Sequence, residues 1–367
     1  MRVRRSPYLV SYWHGDRLIL HNYRSNVAVA ATPLALAVLD VCGRWSDAAS
    51  IAIRFRDYTA ASISRAIRRL ARATLVETSA RPRREVADPW LSWHPAAGLL
   101  HFSSKDLPYR EPEITKAILT RRSRREPMPP IGKRYRGAAT IALPRPSTAG
   151  EFPRVLRERR TWRRFGSAPI TLEELAALLG LSCAIEYWVP VKGIGRLGLK
   201  PYPSGGAQQP LEVYVLARRV KTLAPGLYHY AADAHRLERV TRGATPRQIA
   251  RYLPTQGWYG RAAALFLISA VISRTQWKYR FPRAYKVVLA EAGHLCQNLC
   301  LTATWLGLAP FCTMALADSL IERDLRIDGV TEAIVYAAGV GTRPKGVDWA
   351  PSPTGGAVTR TPGPLAR

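Results

Sequence analysis

Acidic residues are scarce in this chain. Its 26 Asp and Glu face 55 Lys and Arg, a net charge of +29 over 367 residues. Such a chain is drawn to polyanions and acidic partners, and less so as salt rises. The excess is +8 over residues 1–90, +7 over 91–150 and +14 over 151–367, so no single segment owns it. Lysine is scarce as well, at 9 against 46 arginines. That bias fits a GC-rich genome as much as selection for binding. A generally basic surface and an acidic or nucleic-acid partner both stay open. Cysteine is limited to positions 42, 183, 296, 300 and 312, an odd number without a C-x-x-C pair. This excludes a disulfide framework and zinc-type Cys/His spacing, and fits buried thiols in a reducing, cytoplasmic setting. His294, Cys296 and Cys300 share an apolar helix and read as core packing, with no metal. No apolar run is long enough for a secretory signal at the N-terminus. The charge-free stretch Leu295–Ala317 contains Gln297, Asn298, Gly307 and Pro310, so it reads as a helix, a break and a strand rather than a membrane span. There is no internal repeat, Walker loop or zincin sequence.

The 47% hydrophobic share supports a sizeable core, and the length predicts two domains. Residues 1–85 read as a small winged-helix-like unit. Its strands are Tyr8–Trp13 and Arg17–Tyr23, with Val27–Ala31 as a third. Thr32 caps a helix that begins at Pro33, Ser46 caps a second, and a third begins near Thr59. Ile63, Ile67 and Leu70 form the inner stripe of that third helix. Arg65, Arg68, Arg69 and Arg72 form its other side, which resembles a DNA recognition helix but equally a solvated face. Residues 86–150, rich in proline and arginine, read as irregular connection with a short helix around Lys116–Thr120. Residues 151–350 form the main α+β domain, and 351–367 a flexible tail. Helices are expected at 151–160, 172–183, 246–253, 287–306 and 318–325. Strands are expected at 211–218, 226–230, 236–240, 263–271 and 332–339. GIGRLG (193–198) matches the dinucleotide fingerprint but precedes prolines that stop any helix, so it reads as a flexible loop.

Three segments of the main domain carry candidate chemistry. In RERRTWRRF (157–165), arginines at a helix end and Thr161 offer a fork of donors to a phosphate or a ring carbonyl edge. A solvated charge run looks the same. PSGG (203–206) brings bare backbone near a flat ligand, or is an ordinary turn before a strand. In EAGHLCQNLC (291–300), Ala292 and Gly293, with Ala303 further on, allow close helix packing, while Gln297 and Asn298 need buried partners or a ligand.

Taken in order, SSKDLPY (103–109), RRTWRRF (159–165), PITLEELAALL (169–179), PSGGAQQP (203–210), PGLYHY (225–230) and EAGHLCQN (291–298) resemble the SagB-type branch of the nitroreductase superfamily, over about 95–345. The resemblance implies a nitroreductase-like FMN domain with a mostly antiparallel sheet flanked by helices. It also implies azoline dehydrogenase activity, which turns thiazolines or oxazolines in ribosomally made peptides into azoles. SRTQWKYRFPRAYK (273–286) is similar to the branch's Lys-Tyr segment, which makes Lys278 and Tyr279 the catalytic pair. Without the resemblance they read as an exposed lysine and a packing tyrosine. Both can serve one ring only if the chain is irregular there, since strand neighbours face opposite ways. By the same match, Arg159, Arg160, Thr161 and Arg163 hold phosphate, ribityl and ring edge. Ser204, Gly205 and Gln209 approach the flavin. Pro310 to Thr313, Cys312 included, sits by its N5 atom, and Gly341 and Arg343 close around phosphate. Ala207 and Thr313 depart from the asparagine and glycine common in small-molecule nitroreductases. The superfamily builds its sites between subunits, which implies a homodimer. The N-terminal unit is then expected to capture a precursor's leader peptide by strand addition, or to dock a cyclodehydratase complex. Rival readings are a small-molecule nitroreductase, a catalytically weak scaffold and a nucleic-acid binder.

Overall fold

A computed structural model of the chain describes residues 1–80, 88–127, 129, 130, 133, 137, 139 and 141–346; the expected tail at 351–367 lies outside them. The chain divides into two units. The first is Met1–Lys105 with Ile272–Val287, and the second is Asp106–Val271 with Val288–Arg367. Among the described residues, no helix is long and apolar enough to cross a membrane.

The first unit opens with β1 (Arg2–Arg5), β2 (Leu9–His14), β3 (Arg17–Asn22), β4 (Val27–Ala30) and α1 (Pro33–Val41). It continues through β5 (Ser46–Asp47), α2 (Ala48–Ile53), α3 (Ala60–Arg72), β6 (Val76–Thr78) and α4 (Pro95–Ser103). Two antiparallel sheets result, ordered β5-β1-β6 and β2-β3-β4. The stripe Ile63, Ile67 and Leu70 packs on Val3, Val38 and Leu39, as its spacing dictates. Arg65, Arg68, Arg69 and Arg72 are exposed. Thr32 and Thr59 cap α1 and α3 as expected. The cap of α2 is a correction: Asp47 rather than Ser46 accepts the N–H groups of Ala49 and Ser50. Ser46 instead pairs with Val3 across the small sheet.

The second unit begins with α5 (Pro112–Ser123), which contains the expected Lys116–Thr120. Next come α6 (Glu151–Glu158), α7 (Leu172–Cys183), β7 (Tyr187–Val191), β8 (Gly195–Leu199), β9 (Leu211–Ala217), β10 (Gly226–Ala231), β11 (Arg236–Arg242), α8 (Pro246–Tyr252) and β12 (Ala264–Val271). The chain returns to the first unit as α9 (Ile272–Lys278) and leaves it along α10 (Ala284–Trp305). β13 (Leu308–Thr313), α11 (Asp318–Leu325) and β14 (Glu332–Thr342) finish the second unit. Its sheet runs β11-β10-β9-β12-β14-β13, antiparallel throughout. α7 starts where its sequence says it must: Thr171 Oγ1 accepts the Glu174 N–H and Glu174 accepts the Thr171 N–H. GIGRLG is not a loop. Gly193 and Gly195 turn the chain at φ +76° and +118°, and β8 then pairs back on β7.

One face of the large sheet buries Leu216, Leu265, Leu267, Ala337 and Phe311 with Tyr259. Tyr259 stacks on Phe311 at 3.7 Å between ring centroids. Gly339 in β14 exists for this stack. A Cβ there would lie 2.4 Å from the Phe311 ring.

Candidate functional site

α6 ends at Glu158, and the chain runs on extended from Arg159. Two hydrogen bonds pin this run to the sheet. Trp162 N–H donates to Pro310 O and Gly166 N–H donates to Thr342 O, each at 2.8 Å. Trp162 is buried, which leaves Thr161 and Arg163, its neighbours, half-buried on the opposite side of the strip. Arg159 is half-buried and electrostatically coupled to Cys300 and Cys312; Arg163 is coupled to Tyr259. Arg343 lies 5.5 Å from the Trp162 ring and donates to the carbonyls of Leu308 and Thr304. Arg159, Thr161, Arg163, Pro310–Thr313 and Arg343 are thus brought to one edge of the sheet.

Two expected contacts look different in place. Arg160 is exposed and folds back on α6, donating to the carbonyls of Arg157 and Arg159 at 2.7 Å each. Gly341 is accounted for by packing, since a Cβ there would lie 2.8 Å from the Phe165 ring.

A second group forms around Ser204. Gly206, Ala207 and Gln209 all take positive φ, of 62°, 55° and 46°. Two of these are not glycine, so the turn is strained and must be held. Gln209 N–H donates to Ser204 Oγ at 3.0 Å, and Gly205 N–H donates to Glu291 Oε1 at 2.8 Å. The Gly205 amide is therefore engaged by the protein itself. Glu291, on α10, is 1% exposed. Burial pushes its carboxyl up, against the Gly205 N–H and Ser204 hydroxyl, which pull it down. The sequence signal for Glu291 is a single acid among apolar helix positions, too local to show which turn it meets. His294 approaches the Pro203 carbonyl at 3.2 Å. Gln297 is exposed and Asn298 half-buried, so neither needs the buried partner expected of it. Nor is Gly293 a packing notch, because a Cβ there would meet nothing within 4 Å. Glu291 anchors this group, while Thr304 on the same helix contacts the first. The two are roughly 20 Å apart along the axis.

The sequence also hid a thiol cluster. Cys296 and Cys300 on α10 meet Cys312 on β13, with all three sulfurs within 4.8 Å of one another. Hydrogen bonds from Cys296 and Cys300 hold the Cys312 thiol well below its ordinary range, and Cys296 is pushed up. The neighbouring Thr313 hydroxyl accepts from Gln256 and from the Ala315 N–H, so it shapes a turn.

Lys278 and Tyr279 belong to the first unit. Lys278 ends helix α9 and Tyr279 opens the irregular stretch that follows it, so the chain is irregular here as expected. The Lys278 ammonium stands 5.6 Å from the Tyr279 ring centroid. An aromatic block fixes this segment: Trp93 donates to the Tyr279 carbonyl at 2.9 Å, and His101 bonds the Tyr285 hydroxyl at 2.9 Å while stacking on buried Trp90. Gln276 donates to the Pro89 carbonyl.

A sequence model of the Nitroreductase family matches residues 156–342, more than half of the chain. The chain belongs to the nitroreductase family. It is 32% identical over 173 residues to MJ1384 of Methanocaldococcus jannaschii, assigned by name to the nitroreductases, and covers 83% of that protein. It is 29% identical to the trifolitoxin-processing protein TfxB of Rhizobium leguminosarum bv. trifolii and 30% identical to the microcin B17-processing protein McbC of Escherichia coli. Those two matches take in 46% and 36% of this chain, and the chain spans about half of each protein's length, 46% and 51%. Among solved structures, the E. coli microcin synthetase McbBCD complex with a truncated precursor aligns at 21% identity and a TM-score of 0.46, over 66% of this chain and 86% of that one.

The family's cofactor is FMN, and the donors present fit it. Among the described residues, no carboxylate pairs with Arg159, Arg163 or Arg343. Such unneutralised, half-buried guanidinium groups on a rigid sheet edge suit a phosphate monoester and ring carbonyls.

Proposed function

We propose that this protein is an FMN-dependent dehydrogenase that oxidises azoline rings in a ribosomally made peptide to azoles. The observation that carries the flavin part is the acid-free donor set Arg159, Thr161 and Arg163, held against β13 by the Trp162–Pro310 bond. Likeness to two peptide-processing proteins supports the peptide part. Bound FMN supplies the two-electron acceptor for the ring CH2 hydride. The remaining work belongs to the chain. Arg159, Thr161, Arg163 and Arg343 bind and orient the cofactor, while Arg160, turned back on α6, is left out of the set. The Ser204–Gln209 turn presents backbone to it, with Glu291 as the anchor of that turn. Backbone around Cys312 and Thr313 would face the flavin nitrogen. One of the pair Lys278 and Tyr279 takes the proton from the ring carbon that was Cα, and the other orients it.

In this reading the active species is a homodimer. The two groups on α10 stand roughly 20 Å apart, which suits a site whose halves come from different copies. The β7–β8 hairpin exposes Tyr187 (66%) and Trp188 (45%), side chains that an interface would cover.

The deciding experiment incubates the yellow protein with azoline-bearing peptides and follows mass. Each ring oxidised loses about 2 Da. Lys278→Ala and Tyr279→Phe abolish that loss while flavin content stays. Full turnover in both variants rules out the pair. Reduction of nitroaromatics with no peptide oxidation selects the small-molecule reductase instead.

A further inference from the structure

Only the backbone around Cys312 is assigned to the flavin; the three thiol side chains have no part in that work. Cys296 and Cys300 are one turn apart on α10, so their side chains share a face without distorting the helix. Both are buried, at 2% and 3% exposure. Cys312 arrives from β13 and is the more accessible of the three. No disulfide joins them. We propose that Cys296, Cys300 and Cys312 form a three-thiolate site for a soft d10 cation, Cu(I) or Zn(II).

The geometry needs little adjustment. At a metal–sulfur distance of about 2.3 Å, three sulfurs around a planar centre stand about 4.0 Å apart. The three here already lie within 4.8 Å, so contraction below about 1 Å closes the site. The donor set is purely sulfur. Carboxylate- and water-seeking ions such as Mg(II) and Ca(II) have no ligand in it, whereas thiophilic ions do. Beside the ligands, the Tyr336 hydroxyl bonds the Cys312 sulfur. The ion enters past Cys312, since the two helix thiols are closed off. Cu(I) is satisfied by three sulfurs. Zn(II) takes the same three and keeps a fourth position for an outside ligand.

The test uses full-length protein purified under reducing conditions, with flavin quantified in the same preparation so that a failed metal site and a failed flavin reading are told apart. Zn(II) and Cu(I) are titrated separately against competing chelators, and retained metal is measured by elemental analysis after dialysis. One equivalent of at least one ion is expected. X-ray absorption of that form shows three sulfur neighbours, with an added light atom if the ion is Zn(II). Cys296→Ser with Cys300→Ser weakens binding by roughly 100-fold or more, and Cys312→Ser does so alone. Cys42→Ser, in the first unit, leaves it unchanged. Circular dichroism melts identify any variant that is unfolded, and Cys312→Ser then carries the test, because that position is only half-buried. Sub-stoichiometric metal in the parent protein, equal retention in Cys312→Ser, or a disulfide among the three cysteines by mass mapping each overturns the proposal.

Discussion

His229 sits between two carboxylates on neighbouring strands, with Nε2 3.2 Å from Glu212 and Nδ1 3.1 Å from Glu238. The Glu212 bond is the main reason its pKa is raised, with Glu238 adding and burial opposing. A raised basic pKa means the folded state holds the proton longer. The contribution to stability is therefore complete below the unfolded value near 6.5 and is lost as pH rises through the higher folded value. Denaturant melts across this range will show stability falling, and Glu212→Gln will flatten the slope. A second residue-scale effect is steric. Gly339→Ala drives a methyl into the Phe311 ring, which is locked by stacking on Tyr259 and cannot rotate away. Overpacking of this kind costs about 1–3 kcal/mol. Thermal unfolding of the variant will show a matching drop, while Gly293→Ala, which points into open space, will not.

At the scale of elements, legibility followed how local the signal was. α7 was readable because Thr171 and Glu174 specify its start within one turn, and α10 because its apolar run ends at Gly307, whose φ is +72°. The strands of the large sheet showed as β-branched and aromatic runs. β1, β5 and β6 were invisible: RVRR buries only Val3, and two or three residues show no period. The β7–β8 hairpin was hidden by Pro190 and by glycines that mimic a nucleotide motif. The arginine segment was legible as a cluster of donors around Thr161, but Arg160's return to its own helix was not, because that depends on backbone direction. Glu291 and the thiol cluster required knowing which face of α10 meets which strand. β6 also supports a prediction. It is an edge strand beside a groove of about 810 Å³ lined by Arg2, Arg4, Arg68, Arg72 and Trp45. The expectation is that an extended acidic leader adds there as a further strand. Fluorescence anisotropy with the full chain will show binding that weakens with salt, and Arg68→Glu with Arg72→Glu will remove it. Duplex DNA binding with the same dependence would favour the nucleic-acid reading.

For the whole molecule, association is the property to measure. If the two groups on α10 serve one cofactor from different copies, flavin binding and dimerisation rise and fall together. Sedimentation of the parent protein will give a dimer. Trp188→Glu on the exposed hairpin will shift it toward monomer and lower flavin content in parallel. A flavin-replete monomer would show that one copy suffices.

The excursion of the chain through α9 has a consequence for anyone who cuts the gene. Residues 272–287 contribute Tyr285 and Gln276 to the block around Trp90. A fragment ending at Lys105 therefore lacks part of its own interior, and one beginning at Asp106 carries an orphaned aromatic segment. On the ribosome, the N-terminal body must wait until some 180 further residues have emerged before it can close, so its folding finishes late although its synthesis begins first.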